Sequence, residues 1–85
     1  MIWFAKKPAS GRWERQEDQH GPCDSAPHAA STFASIHVRS LGETVEVMGQ
    51  TEPPRDVMEV QVFTVISIGS SGAAVQWVGS RKERP

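Results

Sequence analysis

From Val57 to Val78 the chain runs as two apolar, strand-like stretches on either side of a glycine-bounded turn, and this pattern commits it to a β-hairpin before anything else is considered. In the first run Met58, Val60, Val62, Ile66 and Ile68 fall on one side of a two-residue period, with Glu59, Gln61 and Ser67 on the other and Thr64 interrupting the apolar side. Phe63 and Val65 give the second half of the run an apolar character on its other side as well. Gly69-Ser-Ser-Gly72 supplies the reversal, because glycine takes the positive φ that a tight turn demands. Ala73 to Val78 returns, with Val75 and Trp77 sharing a face.

A hairpin needs a partner layer to bury its apolar side, and with 85 residues in all the chain can form one small domain around a modest core. A deep substrate cavity is not expected, which counts against a cofactor-dependent enzyme. Nine basic and ten acidic side chains leave a formal charge of -1, so no global field steers the chain to nucleic acid or to an anionic membrane. One cysteine, Cys23, excludes an intramolecular disulfide framework and favours a reducing compartment. Ile2-Trp-Phe-Ala5 is far shorter than the apolar region of a signal peptide, and Lys6 and Lys7 follow it rather than precede it. No run approaches the length of a membrane span, and the chain reads as soluble and cytoplasmic.

Upstream of the hairpin, Ile2 to Lys6 and Arg12 to Gln16 flank Pro8-Ala-Ser-Gly11, where early proline and late glycine predict a first chain reversal. Glu17 to Asp24 is polar, carries Gly21-Pro22 and has no apolar period, which predicts a loop. The segment from Ser25 to Leu41 satisfies two periods at once. Ala34, Ile36 and Val38 alternate like a strand, while Ala26, Ala29, Ala30, Phe33, Ile36 and Leu41 recur at helical spacing. The end signals favour the helix: Asp24 or Ser25 as N-cap, Pro27 in the first turn, and Gly42 directly after Leu41 as a stop. A helix over residues 26–40 is expected, against the preferences of β-branched Thr32, Ile36 and Val38.

Glu43 to Met48 alternates cleanly and predicts a strand with Val45 and Val47 inward and Thr44 and Glu46 wet. Gln50 to Asp56 contains Pro53-Pro54, which cannot donate to a ladder, and so predicts a loop. After Val78 the chain is charged and lacks large apolar residues. Residues 1–78 are expected as the domain and residues 79–85 as a flexible tail. The resulting order predicts an α+β fold: a small antiparallel sheet of about five strands, with one helix on one face and a core built from Phe33 and the even-numbered side of residues 58–68. The alternative is an all-β, partly open small barrel in which the helical segment is another strand.

Chemistry-bearing clusters are sparse. His20, Cys23 and His28, with His37 and Asp24 nearby, fall short of the two close ligand pairs that zinc sites use. On a helix His28 and His37 would also point about 180° apart. No metal and no cofactor is expected. Cys23 sits just before the helix, where backbone N-H groups favour a thiolate, but no local signature supplies a base, so thiol chemistry there ranks last. The carboxylate pairs Glu43/Glu46 and Asp56/Glu59 read as solvated edges, and the Ser-Gly combinations as turns without a phosphate loop or nucleophile elbow.

The first hairpin interleaves Trp3, Phe4, Lys6, Lys7, Arg12, Trp13 and Arg15, the mixture of stacking rings and cations that single-stranded nucleic acid requires. Alternation sends at least one aromatic set to the core, and Glu14, Glu17 and Asp18 dilute the positive charge. Lacking a catalytic constellation, the chain reads first as a non-enzymatic interaction module that presents a sheet surface to another protein or to itself, most simply as a symmetric dimer. Trp3, Lys6, Lys7, Arg12, Trp13, Arg15 and Trp77 are the candidate contact residues, and single-strand nucleic-acid binding through the first hairpin is the alternative.

Overall fold

The computed structural model describes residues 1–8, 11–51 and 57–83. In chain order these form β1 (Ile2–Lys6), β2 (Glu14–Arg15), β3 (Glu17–Asp18), β4 (Gly21–Pro22), α1 (Ala26–His37), β5 (Thr44–Gln50), β6 (Met58–Gly69) and β7 (Gly72–Glu83). Five strands build one antiparallel sheet in the order β2-β1-β5-β6-β7, while β3 and β4 pair separately. The helix packs on one face of that sheet, as the α+β reading expects. The sheet stays open, with β2 and β7 as its two edges, so the barrel alternative does not arise.

The central hairpin closes where the glycines require. Gly69 pairs with Gly72 across the two-residue turn Ser70-Ser71, and Gly72 has a φ of +131° that a side chain would resist. The ladder slips twice, between Val62 and Phe63 and between Val65 and Ser67, leaving Val78 on β7 and Ile66 on β6 as the extra residues. The Pro8-to-Gly11 reversal contains residues 9 and 10, which lie outside the described residues, but the strands on either side pair as expected, Phe4 with Arg15 and Ala5 with Glu14. Inside the predicted loop of residues 17–24, the short β3 and β4 are joined through Gln19 and His20 into Gly21 at φ +120°.

Helix α1 begins as its end signals predict. Ser25 is the extended N-cap and its hydroxyl accepts from the His28 N-H at 3.3 Å, with Pro27 tolerated in the first turn. It ends earlier than residue 40, at His37. Val38 is already extended and fully buried, its N-H still bonded to the Ala34 carbonyl at 3.0 Å, so a β-branched residue leaves the helix to fill the core. Gly42, expected as the helix stop, instead takes φ +85° in the following turn, where its N-H bonds the Val65 carbonyl. The buried side of α1 is Ala26, Ala29, Ala30, Phe33 and Ala34, and four alanines let the helix axis approach the sheet closely. Ile36, counted on that side by spacing, is exposed.

The core lies on the opposite side of β6 from the one its alternation suggests. Val45 and Val47, fully buried under the helix, set the inward face of β5, and the register Val45↔Phe63 carries that face to Phe63 and Val65. The even-numbered residues Met58, Val60 and Val62 therefore share the helix-free face with Phe4 and Met48. Ile66, the bulge residue, and Ile68, beyond it, are exposed. Both faces of β6 are apolar, so its own pattern does not identify the core side. Only the pairing with β5 does.

Two further expectations are corrected. Glu46 is not wet: it is 7% exposed, covered by Lys6 and Arg81. Residues 79–83 are not a tail but the second half of β7, with Lys82 opposite Glu59 and Glu83 opposite Met58. Arg81 pairs with Glu46 and Glu83, and Lys82 stands opposite Glu59, so the strand continues without apolar side chains. Residues 84 and 85, and the predicted loop at residues 52–56 with Pro53, Pro54 and Asp56, lie outside the described residues. Among the described residues no helix is long and apolar enough to cross a membrane.

Candidate functional site

The cations of the first hairpin are largely spoken for. Lys6 Nζ lies 4.7 Å from the centre of the Trp13 ring and 3.8 Å from Glu46 Oε1, Lys7 Nζ lies 3.8 Å from Glu43 Oε1, and Arg15 Nε lies 2.9 Å from Glu17 Oε1. Arg12 is exposed and borders a shallow recess with Lys7, Glu14, Phe33 and His37. The two tryptophans are not side by side. Trp3 packs against the helix-side core with its ring over Gly49, whereas Trp13 stacks on Lys6, which alternation places on the other face. The residues that sequence grouped as one stacking platform are thus divided between two sides of the sheet, with Lys6, Lys7 and Arg15 each beside a carboxylate.

A recess of about 350 Å³ opens beyond the helix, walled by Met1, Trp3, Gly49, Glu59, Gln61 and Lys82. Glu59 and Lys82 face each other across the β6–β7 ladder. The recess brings together one aromatic wall, Thr51 and one pair of opposite charges. Cys23 lies elsewhere, 2% exposed, with Sγ 3.6 Å from Thr32 Oγ1. His28 is held between Asp18 Oδ2 at 3.0 Å and Asp24 Oδ1 at 3.1 Å, and that hydrogen bond holds the Asp24 carboxyl below its usual range. His37 pairs with Glu14 at 2.9 Å and rests against the Phe33 ring. These contacts tie the start of α1 to β3 and its end to β2. No three His, Cys, Asp or Glu side chains among the described residues are placed to hold a metal ion.

Two features escaped the sequence. On the helix-free face, Arg81 spans Glu46 at 2.5 Å and Glu83 at 2.5 Å, with Lys6 on the far side of Glu46. The hydrogen bond from Arg81, reinforced by attraction to Arg81 and Lys6, holds the Glu46 carboxyl below its ordinary value despite its burial, and the hydrogen bonds to Glu46 and Glu83 raise Arg81. Residues 35 positions apart meet here only through the register of β5, β6 and β7, which no local pattern encodes.

The second feature is the β7 edge. From Gly72 to Ser80 it carries no charge, and Trp77 and Val78 are 56% and 53% exposed. Helix α1 packs against this strand and hydrogen-bonds it at Ala73: Ser31 Oγ donates to the Ala73 carbonyl at 2.5 Å and Ser35 Oγ accepts from the Ala73 N-H at 3.0 Å. Trp77 was legible as a contact residue, but its place on a bare sheet edge required the strand order. A search of protein families, curated proteins and solved structures finds no match to this chain. What the fold defines is its class: a small α+β domain, one helix on a five-stranded antiparallel sheet.

Proposed function

We propose that this domain is a non-enzymatic interaction module whose working surface is the β7 edge, presented to a protein partner or to a second copy of the chain. The observation that carries this reading is the uncharged edge segment from Gly72 to Ser80 with Trp77 more than half exposed. A sheet edge offers a row of unpaired N-H and C=O groups, and natural sheets blunt it with charge, proline or cover. Here the charges begin only at Arg81. An extended segment of another protein would add to the edge by main-chain hydrogen bonds, with Trp77 supplying an aromatic anchor. The proposal includes a cytoplasmic, reducing setting, in which Cys23 stays a thiol.

Nucleic-acid binding through the first hairpin ranks lower, because Lys6, Lys7 and Arg15 each sit beside a carboxylate that a phosphate would have to displace. The test is affinity capture from the native host with the tagged domain and with its Trp77→Lys variant, identifying bound protein and nucleic acid separately. A protein, or the chain itself, retained by the wild type and lost with an equally folded Trp77→Lys supports the reading. Retention indifferent to the substitution, or nucleic acid alone, overturns it.

A further inference from the structure

We infer that the occupant of the β7 edge is a second copy of this chain, paired antiparallel about a twofold axis at Gln76. This rests on the interaction-module reading and names its partner.

The helix serines reveal which backbone groups face outward. Successive residues of a strand send their N-H and C=O groups to opposite edges. Gly72 closes the hairpin turn against Gly69, so its groups point inward to β6, and those of Ala73 point outward, where Ser35 and Ser31 cap them. The bulge on β7 lies at Val78, so alternation is unbroken through Trp77 and the outward groups that follow belong to Val75 and Trp77. Among the described residues no side chain caps either. Two outward residues, bounded by a helix cap on one side and a bulge on the other, form a short but defined docking edge.

Only one antiparallel register makes these two residues satisfy each other. Val75 must pair with the partner copy's Trp77 and Trp77 with its Val75, which places Gln76 opposite its own equivalent. That register also solves the electrostatics. Gln76 is the midpoint of the uncharged span from Gly72 to Ser80, so Arg81 and Lys82 of each copy lie toward the turn end of the other and far from their own equivalents. A parallel pairing in register would instead stack Arg81 on Arg81 and Lys82 on Lys82. Axes nearer the carboxyl end would bring the same cations together.

The arrangement explains the exposed tryptophan. Ala73, Val75 and Trp77 share the helix-bearing face, and a twofold that continues one sheet into the other keeps both helices on that face. Trp77 of one copy then covers Val75 of the other, whose side chain is already packed on the core, and approaches the Ser31 and Ser35 side of its helix. The twofold closes the contact and leaves no further edge of this kind to propagate.

Cysteine substitution reads the register directly. In an antiparallel pair without mutual hydrogen bonds the Cα atoms lie about 4.5 Å apart, within disulfide reach, whereas residues four positions out of register are too far. On a Cys23→Ala background, Gln76→Cys is expected to form a disulfide dimer under mild oxidation. Ala74→Cys, four positions out of register with its own equivalent, is expected to stay single. Unmodified protein is expected to rise from 9.3 kDa toward twice that mass with concentration in sedimentation equilibrium. A dimer that cross-links at other positions, or not at Gln76, overturns the inference while leaving the β7 edge as a surface. A mass fixed at 9.3 kDa with Trp77-dependent capture of a different protein also overturns it and leaves the module reading standing. A fixed mass with no Trp77-dependent capture defeats both.

Discussion

The two faces of the sheet are built from the same alternating strands yet are closed in different ways. On one, Ala5, Val45, Val47, Phe63 and Val65 lie at or below 1% exposure beneath a helix that contributes four alanines and one phenylalanine. On the other, no helix is present among the described residues, but Val60 is fully buried and Met48 nearly so, with Phe4 and Val62 half-buried around them. The roof there is made of long polar side chains: Lys6, Glu46 and Arg81 lie across the apolar residues and join into an ion cluster with Glu83. Arginine and lysine stems cover apolar surface while their heads reach water, so a sheet of this size need not cover its second face with another layer. Mutation can test whether the two closures differ in strength as this division implies.

The largest effect is expected at Phe63, the largest fully buried side chain and the one that meets the helix from β6. Phe63→Ala should cost about 3–5 kcal/mol and lower the melting temperature by on the order of 15 °C or more. Phe33→Ala, from the helix side of the same contact, should fall at the lower end of that range, because its ring also borders His37 and the recess near Lys7. If Phe33→Ala melts within a degree or two of the wild type, the helix is not what closes this face. Both are read by thermal unfolding followed by circular dichroism.

That comparison also marks what the sequence could tell. The hairpin, its glycine turn, the helix start at Ser25 and the strand at Val45 and Val47 are local patterns, each visible in a few neighbouring residues. The core side of β6 was not, because Val60 and Val62 compete with Phe63 and Val65 and the choice is made by register with β5. Residues 79–83 looked like a tail for the same reason. A run of charges is disordered or strand-forming according to what lies across the ladder, and Glu46 and Glu59 are remote in sequence. Of the candidate contact residues, Trp77 stands out by its apolar bulk, whereas Lys6, Lys7, Arg12, Trp13 and Arg15 stand out by residue type alone, which is blind to the carboxylates beside three of them.

Val60 sharpens the contrast between faces. Its burial is complete, yet it is roofed by flexible stems that can settle into a gap. Val60→Ala should therefore cost about 1–2 kcal/mol, less than a rigid core would exact. A loss as large as that of Phe63→Ala in chemical denaturation would show the helix-free face to be a second rigid core, and the distinction between the two closures would fail.

The smallest effect is expected at Glu46, where the measurement of interest is its pH dependence. Its carboxylate is buried between Lys6 and Arg81, but the Arg81 side chain is itself 42% exposed, so solvent screens the pair and Glu46→Gln should cost only about 1 kcal/mol at neutral pH. The sign of the pH effect follows from the lowered folded-state value. In the unfolded chain Glu46 titrates near the ordinary value of about 4.3, and in the folded protein Arg81 holds it lower. The unfolded state thus binds the proton first as pH falls. The contribution is complete above the ordinary glutamate range, declines as pH drops through it and is gone below the folded value. Asp24, lowered by His28, bends the wild-type curve in the same direction and is unaffected by the substitution. Urea denaturation of wild type and Glu46→Gln at a series of pH values isolates the difference: the two stabilities should be separated at pH 7 and converge as pH falls below the glutamate range. A gap that stays constant down to the acid limit would mean that Glu46 holds the helix-free face by packing alone, and that its charge contributes nothing to closing it.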